Sequence, residues 1–180
     1  MLRRTIALGG LVAVGVALVV LVKAPVRQTG HEAVRGSRLL RVARVAVRGI
    51  EVELEGRRFA AERAADGWRL DGRPASAGAA DALNDLLELL VDLRAVDAFR
   101  AADPRVFGLD RPRATVELVT PPSRHRLVVG GFNVAGSVAY ARRDRDPRVF
   151  QVGTFLLSSL ERVFYQRDGA KPADGARRDG

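Results

Sequence analysis

The chain has 180 residues, 30 of them basic and 21 acidic, a net charge of +9, and no cysteine. Without thiols it forms neither disulfides nor thiolate metal sites, and its length leaves room for one compact domain with terminal additions. Of the basic residues 28 are Arg and two are Lys, scattered among acids, so the charge reads as the codon usage of a GC-rich gene rather than as a nucleic-acid-binding stripe.

Between Arg3-Arg4 and Lys23 lies an uncharged run of 18 residues, Thr5 to Val22, holding eleven Ile, Leu and Val. As a helix it measures about 27 Å, close to the ~30 Å hydrocarbon core of a bilayer. The apolar residues favour insertion by roughly 3–7 kcal/mol. Residues 1–23 are therefore predicted to be a transmembrane anchor. Val22-Lys23-Ala24 is a weak signal-cleavage pattern followed directly by Pro25, which favours retention of the helix. The small-residue stripe Gly9, Ala13 and Ala17 reads as composition rather than as a helix-pairing seam. Two basic residues precede the run and five (Lys23, Arg27, Arg35, Arg38, Arg41) follow it closely, so a literal count keeps the body inside. A short basic N-terminus before an apolar run is nevertheless the usual arrangement of an exported, anchored protein. The expected location is the inner membrane, single-pass, with the body periplasmic or extracytoplasmic. Taking Arg3, Arg4 and Lys23 from +9 leaves +6 on residues 24–180.

Residues 24–41 are polar and lack a period, and are predicted to be a linker, with His31 a solvated histidine. The α+β domain is expected over 42–167. Strand signals start at Val42, Val45 and Val47 and become clear where Ile50, Val52 and Leu54 alternate with Glu51, Glu53 and Glu55, a period of two. A hairpin at Glu55-Gly56-Arg57 should return the chain over Arg58 to Arg63, with the Glu row facing bases on that strand. This explains the three carboxylates better than metal binding does. A turn at Asp66-Gly67 leads to Trp68-Arg69-Leu70, with Trp68 expected at the core edge, its N–H partnered. Asp71 to Gly78 reads as a loop.

A leucine-rich helix is predicted over Ala79 to Arg94, with Asn84, Asp85, Glu88 and Asp92 on its wet arc. Residues 95–113 read as an irregular connection broken at Pro104 and Pro112. A second β block then follows: Thr115 to Leu118, a turn at Pro121-Pro122-Ser123, and a return through His125, Leu127 and Val129. His125 is expected to be an exposed strand residue. Gly130-Gly131-Phe132-Asn133 and Gly136 read as a flexible loop, not a phosphate cradle, since no Lys-Ser/Thr follows. Val138 to Arg142 and Val149 to Val152 form another strand pair around Asp144-Arg145-Asp146, whose flanking Arg residues disfavour a divalent ion. A final helix is predicted from Thr154 to Gln166, and residues 168–180 are expected to be a disordered tail.

The order of elements gives two similar β-hairpin-plus-helix units, Phe59 to Leu70 with the first helix and Val138 to Val152 with the second. The fold class is thus α+β: antiparallel β-meanders with two amphipathic helices, preceded by one transmembrane helix. Over residues 42–168 the chain also resembles a known family. Gly67-Trp68-Arg69-Leu70, the leucine-rich helix, Phe107-Gly108-Leu109-Asp110-Arg111-Pro112 before a strand, and Val138-Ala139-Tyr140-Ala141-Arg142 are similar to the bacterial domain of unknown function 4340. Gly108 would permit a tight approach, Asp110 would cap the turn, and Pro112 would force an extended approach to the strand. The motif residues singled out, all as structural, are Trp68, Phe107, Gly108, Leu109, Asp110, Pro112 and Tyr140.

The resemblance implies a membrane-anchored envelope protein, in some cases attached to an ABC-type transport system, and brings no catalytic residues with it. Many members are longer and hold more than one copy, where this chain holds one. The expected function is accordingly a non-catalytic protein–protein interaction or transport-accessory domain. Its partners are the membrane and a membrane protein, with no nucleic acid, cofactor, metal or small-molecule substrate. The alternative is a basic module that binds anionic polymer or lipid head groups. An envelope enzyme would require Asp110, Asp144 or His125 to cluster in one pocket.

Overall fold

The computed structural model describes residues 36–144 and 146–169; the predicted anchor, most of the linker and nearly all of the tail lie outside them. Among the described residues no helix is long and apolar enough to cross a membrane.

Alternating apolar residues build one antiparallel sheet of nine strands: β1 (Gly49–Leu54), β2 (Arg57–Ala64), β3 (Gly67–Leu70), β4 (Arg73–Pro74), β5 (Asp97–Arg100), β6 (Ala114–Thr120), β7 (Ser123–Phe132), β8 (Val138–Arg143) and β9 (Arg148–Gly153). Their order is β4-β3-β2-β1-β6-β7-β8-β9-β5. Helices α1 (Ala77–Asp92) and α2 (Phe155–Arg167) follow β4 and β9. Each half is therefore a four-strand meander running outward from the central β1–β6 pair and ending in a helix. Counted from that pair, β2 corresponds to β7 and β3 to β8. The sequence pairing of Phe59 to Leu70 with Val138 to Val152 is displaced by one strand, because the two-residue β4 has no period by which the sequence distinguishes it from a loop.

Both helices cover one face of the sheet. Leu83, Leu86, Leu87 and Leu90 of α1 are fully buried, each contributing about 1.5–3 kcal/mol of transfer free energy. They meet Ile50, Val52, Leu54, Val116, Leu118, Leu127 and Phe150 in one core. Ser76 caps α1 through Oγ to the Ala79 N–H, two residues earlier than periodicity had placed the start. Trp68 is 6 % exposed, and its Nε1 donates to Asn84 Oδ1 at 3.0 Å. Asn84 thus turns inward from the arc predicted to be wet.

The structure corrects several other expectations. Residues 36–41, assigned to the linker, belong to the folded body: Leu39 and Leu40 are buried, and the Gly36 and Leu39 N–H groups donate to the Ala95 and Leu93 carbonyls. Val42 to Val47 is not a strand but a segment with a 3-10 turn at Arg44–Ala46, which buries Val47 and leaves Val45 exposed. The connection at 95–113 contains β5, which adds to the edge beyond β9, and a 3-10 turn, Pro104–Phe107. The peptide between Pro121 and Pro122 in the β6–β7 turn is cis.

Candidate functional site

The sheet face opposite the helices divides in two. Over β7, β8 and β9 it is covered by a strap, residues 101–112. Leu109 of the strap buries against Val128 and Val149, with Phe99, Phe107 and Tyr140 packed around them. The three aromatic rings meet edge to face, Phe107 to Tyr140 at 4.6 Å and Phe99 to Phe107 at 5.2 Å, a geometry worth about 0.5–1.5 kcal/mol per pair beyond burial.

The strap also docks through its backbone. Gly108 ends its 3-10 turn at φ +70, the left-handed region, and a Cβ placed there would lie 3.0 Å from the Gly131 nitrogen. A Cβ on Gly130 would lie 2.2 Å from the Phe107 carbonyl oxygen. Gly130 and Gly131 are not a loop. They form a β-bulge, where the pairing shifts between Val129 and Phe132, and the turn occupies only residues 133–137. The structure therefore brings together four of the seven motif residues, Phe107, Gly108, Leu109 and Tyr140. Asp110 and Pro112 are exposed nearby, while Trp68 belongs to the main core on the other face. Asp103 caps the start of the 3-10 turn, its Oδ1 accepting from the Arg105 N–H at 2.9 Å. The Arg105 side chain holds the Asp103 carboxyl below its ordinary range.

Over β2, β1, β6 and the start of β7 the same face is open and carries a ladder of ion pairs. Arg124 Nη1 reaches Glu51 at 2.8 Å and Glu117 at 3.3 Å. Arg58 meets Glu53 at 2.9 Å. Only that last pair joins the Glu row to the returning strand; Glu51 and Glu55 find Arg124 and Arg113 instead. Hydrogen bonding to Glu51, then to Glu117, raises the Arg124 guanidinium above its usual value. A shallow hollow of about 430 Å³ runs along the ladder, lined by Glu51, Glu53, Arg58, Asp71, Thr115 and Arg126 among others. Sequence reasoning found the Glu row but not its partners, since the register bringing Arg124 beside Glu51 spans 73 residues.

Asp146 is held between two guanidinium groups, Arg148 Nη2 at 2.8 Å and Arg143 Nε at 3.1 Å. Arg148, more than Arg143, drives its carboxyl well below the ordinary range. This saturation disfavours a cation there, in line with the flanking Arg residues. His125 is half-buried, not exposed, with Nε2 3.1 Å from Thr120 Oγ1. It shares a hollow of about 240 Å³ with Arg41, Arg143 and Asp144. Asp144 Oδ1 accepts from the Arg126 N–H, and Asp110 is not in that hollow. Among the described residues no group of three His, Asp or Glu has metal-holding geometry.

No family model matches the chain, and neither the curated proteins nor the solved structures contain a significant match to it.

Proposed function

We propose that this chain is a single-pass, membrane-tethered, non-catalytic envelope domain that uses the open half of its sheet to contact a membrane-protein partner. In keeping with the resemblance described above, that partner is a subunit of an ABC-type transport complex. The observation that carries the reading is the ion-pair ladder: a broad, flat, alternating array of carboxylates and guanidinium groups that neither helices nor strap cover. Its charges are already neutralised within the face, through Arg124 with Glu51 and Glu117, Arg126 with Glu117, and Arg58 with Glu53. A polyanion would have to compete with these carboxylates for every guanidinium group. A protein with its own alternating charges can exchange pairs at little cost, and such exchange gives selectivity more than raw affinity. His125, Asp144 and Asp146 are engaged by Thr120, by the Arg126 backbone and by Arg148 with Arg143, which favours a structural role for each.

The test is co-purification of the full chain from gently solubilised native membranes, followed by the same experiment on Arg124→Glu with Arg58→Glu. A permease or ATPase recovered with the native chain and lost with the reversed one supports the proposal. Recovery unchanged by the reversal overturns this face as the contact, and binding of anionic polymer that falls steeply with salt would favour the basic-module alternative.

A further inference from the structure

Exposed apolar side chains are normally scattered singly over a surface. Here they are not. Seven large hydrophobic side chains are exposed among the described residues, and five of them (Val96, Val106, Phe132, Val134 and Phe155) lie toward one end of the sheet. The register fixes that end. Val138 pairs with Gly153 and Phe132 with Ala139, so the β7–β8 turn with Val134 stands beside the end of β9, from which Phe155 follows. Val96 donates its N–H to Gln151, and the Phe107 carbonyl abuts Gly130 near the end of β7, placing Val106 at the same end. Val45 lies toward the opposite end, beside Arg48, which bonds to Val119.

The chain also arrives at this end. The Gly36 N–H donates to the Ala95 carbonyl, and Arg94 Nη1 donates to the Gly36 carbonyl at 2.6 Å. Twelve residues, Ala24 to Arg35, separate this point from Lys23, which closes the uncharged run. Such a segment spans about 20 Å as a coil and at most about 40 Å when extended. A groove of about 420 Å³ between Leu89 and Phe155 opens beside it. Arg113 stacks on Phe132 at 4.8 Å, pairing an apolar ring with a cationic head.

We infer that this end of the sheet, carried by Val96, Val134 and Phe155, rests in the head-group layer of the bilayer that holds the anchor, so that the domain is seated on the lipid rather than swung from it. This deepens the proposed function and rests on its membrane tether. Apolar tips with guanidinium neighbours fit the interface between head groups and acyl chains. Seating that end leaves the ion-pair ladder, on the face of the sheet rather than at its end, free for a neighbouring membrane protein.

The absence of native cysteine makes site-specific labelling clean. Single variants Val134→Cys, Phe155→Cys, Val45→Cys and Ser123→Cys in the full chain are tagged with an environment-sensitive fluorophore and reconstituted in phosphatidylcholine–phosphatidylglycerol vesicles carrying nitroxide lipids. Flotation of the vesicles is scored first, and emission of Trp68, the single tryptophan, checks that each variant is folded. The expected result is severalfold stronger lipid quenching at positions 134 and 155 than at 45 and 123. Protein that floats but shows equal, weak quenching at all four positions overturns the seating while leaving the tether intact. Labels at 134 and 155 shielded from water but not quenched by lipid would indicate a second copy on this end and would equally overturn it. Protein that fails to float refutes the tether, and the seating with it.

Discussion

Replacing Gly130 with Ala tests whether the strap is held by backbone contact. The added methyl would sit 2.2 Å from the Phe107 oxygen, 3.0 Å from the Gly108 carbonyl carbon and 3.1 Å from its oxygen. All three are main-chain atoms, so no side chain can rotate away and the strap must lift by about 1 Å. A gap of that size forfeits a quarter to a half of a dispersion contact. Applied to Phe107 and Leu109, at about 1.5–3 kcal/mol of burial each, the loss comes to about 1–3 kcal/mol, the usual range for overpacking. Against it stands about 0.4–1 kcal/mol gained by restricting the unfolded chain. Gly131→Ala is the matched control. Its methyl meets only the Phe107 oxygen at 3.6 Å, an ordinary contact, so it should be neutral or slightly stabilising. Urea unfolding of the full chain in mild detergent, read from Trp68 emission, should separate the two variants by about 1–3 kcal/mol, and each kcal/mol moves the thermal midpoint by about 3–6 °C for a body of this size. Equal stability of the two would refute backbone docking of the strap.

The other expectations are simpler. Leu86→Ala, at a fully buried position facing the sheet, should cost about 2–5 kcal/mol in the same assay. Asn84→Ala leaves the Trp68 indole N–H without its acceptor and should cost about 1–3 kcal/mol, with a shift in tryptophan emission that Asn84→Asp would largely spare. Asp146 titrates below its ordinary range because Arg148 and Arg143 bond its charged form. The stability it supplies is therefore complete above the unfolded pKa of about 3.9 and is lost as pH falls through the lower folded value. Asp146→Asn should lower the neutral-to-basic plateau without changing its slope and flatten the acid limb of a stability–pH curve, the two chains converging at low pH. Glu51→Gln on the open ladder should change stability by less than about 1 kcal/mol, and by less still in high salt, because both members of its pair with Arg124 are exposed.

What could be read from the sequence was the part governed by local period. Ile50, Val52 and Leu54 alternating with glutamates could hardly be other than a half-buried strand, and the α1 leucines could hardly be other than a helix face. What could not be read depended on partners distant in the chain. Asp97 to Arg100 carries no period of its own; it becomes a strand because β9 offers it a free edge. Val42 to Val47 alternates like a strand, yet no neighbour is available and the backbone closes into a 3-10 turn. The Gly130-Gly131 pair has the composition of a loop, and only the Phe107 carbonyl lying on it reveals a bulge that needs a missing side chain. The Glu row was legible, but its Arg124 partner was set by the β1–β6–β7 register. The motif residues Phe107, Gly108, Leu109 and Tyr140 were legible as a set before they were intelligible as a contact.

The two halves of the sheet are built alike and used differently, and the difference lies in what is inserted between them. Residues 93–113 supply β5 and the strap, and both add to the second half: β5 pairs with β9, and Leu109 closes over Val128 and Val149. The first half receives nothing, so its outer face keeps only ion pairs. The chain's arrival at Ala95, the Val96 and Phe155 side chains and the strap with Val106 therefore all belong to the elaborated half, while the ladder spans β2 and β1 of the plain half and, in the other, only β6 and the start of β7, which the strap leaves uncovered. A bilayer requires an apolar rim close to the tether, and a protein partner requires a broad polar face away from it. The inserted segment separates these two demands on a sheet whose halves would otherwise present the same surface twice. Exchanging residues 101–112 for a short flexible turn should therefore expose Val128 and Val149 and cause self-association through the second half, measurable by light scattering, while leaving the Arg124–Glu51 pair between β7 and β1 undisturbed.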